Sequence, residues 1–223
     1  MNTSAIHVRE HCSVLAGPEK RLLERIARRL PAWVTPDGLT LLGLGSMIAA
    51  AAGFAATRAT PWGSVVVVCA LALNWFGDSL DGTVARVRRC ERPRYGFYVD
   101  HAIDLAGTAC LLVGLACSGR MHPLIAASVL AAYLLVAAES FLATHAGGVF
   151  RISFAGVGPT ELRVLLAVGA LFIGRQPPLA IPGLPPLWLF DVGGICAVVG
   201  LTIVFVVSAV RNAKALQRVE SRL

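Results

Sequence analysis

Charge is what this chain has least of. Asp, Glu, Lys and Arg make up 15% of its 223 residues, where a soluble domain carries about 25%. Hydrophobic residues reach 56%, with a mean hydropathy of +0.70. That balance argues against a water-soluble enzyme and for a membrane protein. No stretch alternates apolar and polar residues as a barrel strand does, which argues against a β-barrel. The six cysteines show no CxxC spacing. Cys69, Cys110, Cys117 and Cys196 lie inside apolar runs, where a thiol behaves as a small hydrophobe, and Cys90 falls in a reducing loop, so no disulfides are expected. The opening "MNTSAIHVREHCSVLAG" lacks the compact apolar core of a cleaved signal peptide and reads as a tail. Within it, His7 and His11 have helical metal-ligand spacing but no third ligand nearby. Neither an internal repeat nor a second domain is visible.

What is present is a series of apolar runs: Leu39–Thr57, Trp62–Val84, Phe97–Cys117, Pro123–Ala143, Thr160–Ile173 and Leu187–Val210. The fifth is short; the others approach the roughly 20 residues a spanning helix needs. The predicted fold is an all-α membrane protein, a bundle of six transmembrane helices preceded by an amphipathic interfacial helix. Its expected layout is a tail over 1–16, the amphipathic helix over 17–34, the membrane domain over 35–212 and a cytoplasmic tail over 213–223. In the amphipathic segment Leu22, Leu23, Ile26, Leu30 and Trp33 recur at helical spacing while Lys20, Arg21, Arg25, Arg28 and Arg29 crowd the rest. Such a helix lies along the cytoplasmic leaflet, drawn by anionic lipid. With the N-terminus inside, seventeen of the twenty Lys and Arg face the cytoplasm, leaving Arg58, Arg120 and Arg175 outside. The positive-inside rule favours this orientation, with both termini cytoplasmic. These flanks account for a pI near 9.5, so no nucleic-acid partner is inferred. "RQPPLAIPGLPP", with five prolines, reads as an irregular outer loop before the last span.

Against this scarcity of acid, four of the six aspartates crowd into "GDSLDGTVARVRRCERPRYGFYVDHAIDLAG". Asp78 and Asp81 are three apart and Asp100 and Asp104 four apart, so each pair shares a helix face. The pairs close the second span and open the third, on either side of a short basic loop. Two antiparallel helices joined this way set them side by side where membrane meets cytoplasm. Four carboxylates so close repel one another, and divalent cations relieve that conflict. Hard oxygen donors suit Mg²⁺ or Mn²⁺, and four negative charges match two ions, an arrangement that recurs in phosphoryl transfer. Gly82 and Gly96 leave room for a close approach, and Arg86 offers a guanidinium to phosphate oxygens. The bland alternative is a structural network or proton path of intramembrane acids.

At these residues the chain resembles the CDP-alcohol phosphotransferase (CDP-alcohol phosphatidyltransferase) family, whose signature is D-x-x-D-G-x-x-A-R followed by G-x-x-x-D-x-x-x-D. It stands complete here as Asp78, Asp81, Gly82, Ala85, Arg86, Gly96, Asp100 and Asp104. The resemblance implies displacement of CMP from a CDP-linked alcohol, usually CDP-diacylglycerol, by the hydroxyl of a second alcohol. It implies that Asp78, Asp81 and Asp100 are metal ligands and that Asp104 joins the metal site and acts as the base. Gly82, Ala85 and Arg86 would border the nucleotide, with Asp81 between metal and nucleotide. A second family-like feature is "TPDGLTLLG", where Asp37 replaces the usual Asn and Thr40 would lie near the nucleotide. Asp37 reads either as a helix cap or as a substrate-facing group.

The acceptor is less legible. "FRISFAGVGPTELR" is polar, glycine-rich and on the aspartate side. Arg151 and Arg163 would hold a phosphate on the acceptor and Glu161 a hydroxyl or cationic head group. Pro159, Thr160 and Glu161 equally suit an ordinary helix start. Glu139 and His145 would line the acceptor pocket or pair elsewhere. A basic G-K-x-K-T-type segment, associated with glycerol-phosphate users, is missing. The leading expectation is a phosphatidyltransferase acting on CDP-diacylglycerol and a small polar alcohol. The runner-up uses a soluble CDP-alcohol with diacylglycerol, and a cation transporter is the alternative of another class. The resemblance also suggests a homodimer, which the "AAAAG" run in the first span would permit.

Overall fold

The computed structural model describes residues 16–147, 159–173, 177–180 and 186–221. It is a helical bundle: α1 (Ala16–Arg29), α2 (Pro36–Ala56), α3 (Trp62–Val87), α4 (Pro93–Cys117), α5 (Pro123–Gly147), α6 (Pro159–Phe172) and α7 (Leu189–Glu220). Four of them open on proline, whose fixed φ suits a first helical turn and whose missing N–H is not needed there. At α2 the Thr35 hydroxyl completes the cap by accepting from Gly38 N at 3.1 Å. The chain is an all-α membrane protein, as expected.

The expected six spans are corrected to five helices, among the described residues, long and apolar enough to cross a bilayer. The shortfall is α6, whose 14 residues rise about 21 Å against roughly 30 Å of hydrocarbon. It still runs antiparallel to α3. Arg163 near its start reaches Asn74 and Asp78, and Ala170 near its end accepts from Ser64 Oγ at 2.7 Å. α7 continues as helix to Glu220, into the stretch over 213–223.

α2 is the hub. It packs along α3 and α4, and glycine makes both seams possible. A Cβ on Gly77 of α3 would stand 2.6 Å from the Leu39 carbonyl oxygen of α2, and one on Gly114 of α4 would stand 2.3 Å from that of Ala51. Such distances are closed to any side chain, so the backbones meet because glycine is there. The "AAAAG" run (residues 49–53), expected to permit dimer packing, is engaged within the chain at these seams. Phe54, Val67, Leu71, Leu111 and Leu115 fill the core between them.

α1 does more than lie on a leaflet. Leu23 and Ala27 are buried against Leu39, Leu80 and Val84, which docks α1 on the aspartate end of α3. The Arg88 guanidinium then donates to the carbonyls of Val34 (2.5 Å), Pro31 (2.9 Å), Leu30 (3.1 Å) and Ala32 (3.4 Å), gathering the acceptors left over where α1 ends.

Candidate active site

α3 and α4 bring the two aspartate pairs to one end of the bundle. The rings of Phe97 and His101 seat against Phe141 of α5, and His101 Nδ1 lies 2.8 Å from the Phe97 carbonyl oxygen. These contacts set the roll of α4 that turns Asp100 and Asp104 toward α3. Asp78, Asp100 and Asp104 each offer a carboxylate oxygen, all within 4.8 Å of one another. Oxygens gathered this closely need only a small side-chain adjustment to meet one ion at about 2.1 Å, and an all-carboxylate donor set suits a hard divalent cation. The residues therefore fit Mg²⁺ or Mn²⁺.

Asp81 lines the same cleft with Thr40, Gly43, Asn74, Asp78, Asp100, Ile103 and Asp104. Its carboxylate turns toward α2: Thr40 Oγ1 donates to Oδ2 at 2.8 Å, and Gly82 N donates to Oδ1 at 2.5 Å. Thr40 and Asp81 thus meet across the Gly77 seam. Neither Gly82 nor Gly96 is crowded: a Cβ would meet only Arg86 Nη1 at 3.8 Å at the first and nothing within 4 Å at the second. Chain packing therefore requires neither glycine. Arg86 is exposed beside this space, with its Nη2 donating to Thr83 Oγ1 at 3.1 Å, and Ala85 is half-buried next to it.

One partner here, Asn74, was not singled out from the sequence. Arg163 of α6 donates through Nη2 to Asp78 Oδ2 at 2.6 Å and through Nε to Asn74 Oδ1 at 2.7 Å. Asn74 in turn donates to the Gly43 carbonyl at 3.0 Å. This relay ties α6, α3 and α2 together and holds a cation against the carboxylates. Asn74 had a readable signal, since it precedes Asp78 by four and Asp81 by seven on one helix face. Arg163, expected at an acceptor site, stands at the aspartate cluster. Arg151 lies outside the described residues, as does the side chain of Glu161.

Other expectations resolve differently. Asp37 pairs with Arg92 in the α3–α4 loop, and the cap role belongs to Thr35. Glu139 accepts from Ser208 Oγ and Asn212 Nδ2, both at 2.7 Å, so it staples α5 to α7. His145 is exposed in the last turn of α5. Asp191 went unnoticed in the sequence and is 1% exposed. It accepts from His122 N at 2.6 Å and Trp188 N at 2.8 Å, which locks the ends of α5 and α7 together.

Comparison with curated proteins finds no match. Among solved structures, a Mycobacterium tuberculosis phosphatidylinositol phosphate synthase determined with CDP-DAG bound is similar. The two are 22% identical with a TM-score of 0.53, over 88% of this chain and 92% of that one. That likeness speaks for the fold. The profile of the CDP-alcohol phosphatidyltransferase family matches residues 33–212, which take in α2 to α6, most of α7 and the whole aspartate cluster. The chain belongs to the CDP-alcohol phosphatidyltransferase family, whose enzymes transfer phosphatidyl groups from CDP-alcohol donors in membranes.

Proposed function

We propose that this site moves a phosphatidyl group from CDP-diacylglycerol to a small polar alcohol, with release of CMP and dependence on divalent metal. The observation that carries the reading is the convergence of Asp78, Asp100 and Asp104 within 4.8 Å, beside the Thr40-held Asp81 and the open surface at Gly82. In this reading Asp78, Asp81, Asp100 and Asp104 hold two ions, Mg²⁺ or Mn²⁺. Bound there, the ions supply neutralisation of the pyrophosphate and of the charge that develops on departing CMP.

The chain's own groups do the rest. Thr40 and Gly82 N orient the Asp81 carboxylate at the nucleotide side, where Ala85 and Gly82 leave room for cytidine and Arg86 meets phosphate oxygens in fork geometry. Asp104 accepts the proton of the acceptor hydroxyl as that oxygen attacks phosphorus. Arg163, with its guanidinium already at the cluster, draws a phosphate-bearing acceptor toward the attacking position, and Arg151 and Glu161 belong to the same segment. The missing G-K-x-K-T-type segment weighs against glycerol phosphate as that acceptor. The site faces the cytoplasm with both termini, which the distribution of Lys and Arg supports. A homodimer rests on the family resemblance alone.

Purified protein with Mg²⁺ and CDP-diacylglycerol, offered a panel of free and phosphorylated alcohols, tests the reading. CMP release that depends on one alcohol and stops on chelation is the expected result. Release that instead requires a soluble CDP-alcohol and diacylglycerol would hand the site to the runner-up.

A further inference from the structure

α1 presents two faces of opposite character. Leu23 and Ala27 are buried on α3, while Arg21, Arg25, Arg28 and Arg29 are exposed on the other side. Leu22 is 45% and Trp33 81% exposed beside them. The α3–α4 loop adds exposed Arg89, and the start of α4 adds exposed Arg94 and Tyr95, with Tyr98 at 73% exposure. Glu19, Glu24 and Glu91 are the acids in the sequence of this stretch, outnumbered by arginine. Arginines interleaved with exposed Trp and Tyr match a membrane interface whose headgroups are negative.

This surface is wired to the aspartates. Arg88 holds the carbonyls of residues 30–34 against the end of α3. Two residues beyond Val34, α2 begins, and its first turns carry Thr40 to Asp81. Asp81, Val84 and Arg88 lie on successive turns of the α3 end, and Val84 is buried against α1. A closed ring therefore runs from α1 through the linker to Thr40, across to Asp81 and back through Arg88.

We propose that the arginine face of α1, joined to the α3–α4 loop, is a docking surface for anionic lipid headgroups, and that Arg88 couples docking to the Thr40–Asp81 contact. The docking stands on charge and exposure; the coupling rests on the function proposed above. Arg88 is a positioning residue in this scheme, acting through the linker and not on substrate.

The test uses the full chain in nanodiscs of phosphatidylcholine with and without phosphatidylglycerol. Two readouts are taken: hydrogen–deuterium exchange over α1 and the 30–34 linker, and the KM for CDP-diacylglycerol by CMP release. Anionic lipid should slow exchange there and lower KM about fivefold. The triple variant R25Q/R28Q/R29Q should match the parent in phosphatidylcholine and lose both responses. R88Q should keep the exchange response over α1 and lose the KM response, a split that general destabilisation does not produce. Added salt should erase the parent's responses, which tests the surface even if the variants fold poorly. Equal responses in parent and triple variant, or responses indifferent to salt, would overturn the docking; a KM response retained by R88Q would overturn the coupling. Slowed exchange without CMP release from any alcohol supports the docking surface and counts against the assigned transfer instead.

Discussion

Among the acid sites of the described helices, two are built on opposite plans. Glu139 is 8% exposed, and each of its oxygens accepts from a neutral donor of α7, Ser208 on one and Asn212 on the other. The result is a closed hydrogen-bonded unit with nothing left over. At the other site Asp78, Asp100 and Asp104 are turned toward one another from two helices, and Asp81 adds a fourth negative charge to the same cleft. Arg163 of α6 donates to Asp78 within this group. An acid in a membrane is thus not a functional mark by itself. The mark is an assembly of acids turned into one cleft from two helices.

The comparison breaks most easily at Asp104. Asp104→Asn keeps the side-chain volume and removes the proton acceptor, so transfer should fall roughly 10³-fold while the melting temperature in detergent stays put. Transfer that survives would remove Asp104 from its role as base. A smaller effect is expected at the seam. Gly77→Ala places a Cβ 2.6 Å from a backbone oxygen, which no rotamer can relieve. Overpacking of this kind costs about 1–3 kcal/mol, and because the displaced α2 carries Thr40, transfer should fall roughly a hundredfold. A melting temperature and transfer rate both unchanged would mean that the helices part freely and that the seam does not hold the site. Thr40→Val removes the donor to Asp81 at 2.8 Å and should lower kcat/KM about tenfold. An equal loss with every CDP-alcohol donor places the effect at the nucleotide.

How much of this was legible follows from distance along the chain. The aspartate motif, complete within 27 residues, announced the convergence of α3 and α4, because helix periodicity and a short loop suffice to predict it. The parting of Asp81 from the other three was less visible. Residues three apart on a helix point about 60° apart, enough for Thr40 on another helix to claim one of them. Asn74 was legible as a face-mate of Asp78 but not as the donor to Gly43 across 31 positions, and Arg88, which serves carbonyls 54 to 58 positions away, has no local signal. Helix starts fell short for a simpler reason. α2 and α4 begin on Pro36 and Pro93, but their first turns carry Asp37, Arg94 and Tyr95, which a hydropathy count assigns to the loop. The expected fifth span failed on length, since an apolar run says what a helix tolerates and not how far it reaches.

The smallest effect separates the two acid sites most sharply. Glu139→Gln preserves shape, keeps an oxygen for Asn212 and gives Ser208 a donor in place of an acceptor partner. Interhelical hydrogen bonds in membranes are worth about 0.6 kcal/mol each, so the substitution should cost no more than that in stability. Because the staple joins α5 to α7 and touches no aspartate of the cluster, transfer should change by less than about twofold. Ser208→Ala should behave alike, and the double variant should lose no more than the larger single loss, since both act on one contact. A tenfold loss of transfer in Glu139→Gln with stability intact would reverse this assignment. The acid would then contact the acceptor alcohol, one of the two roles its place in the sequence suggested, and the contrast between a hydrogen-bonded staple and a converging acid cluster would no longer separate structure from function in this bundle.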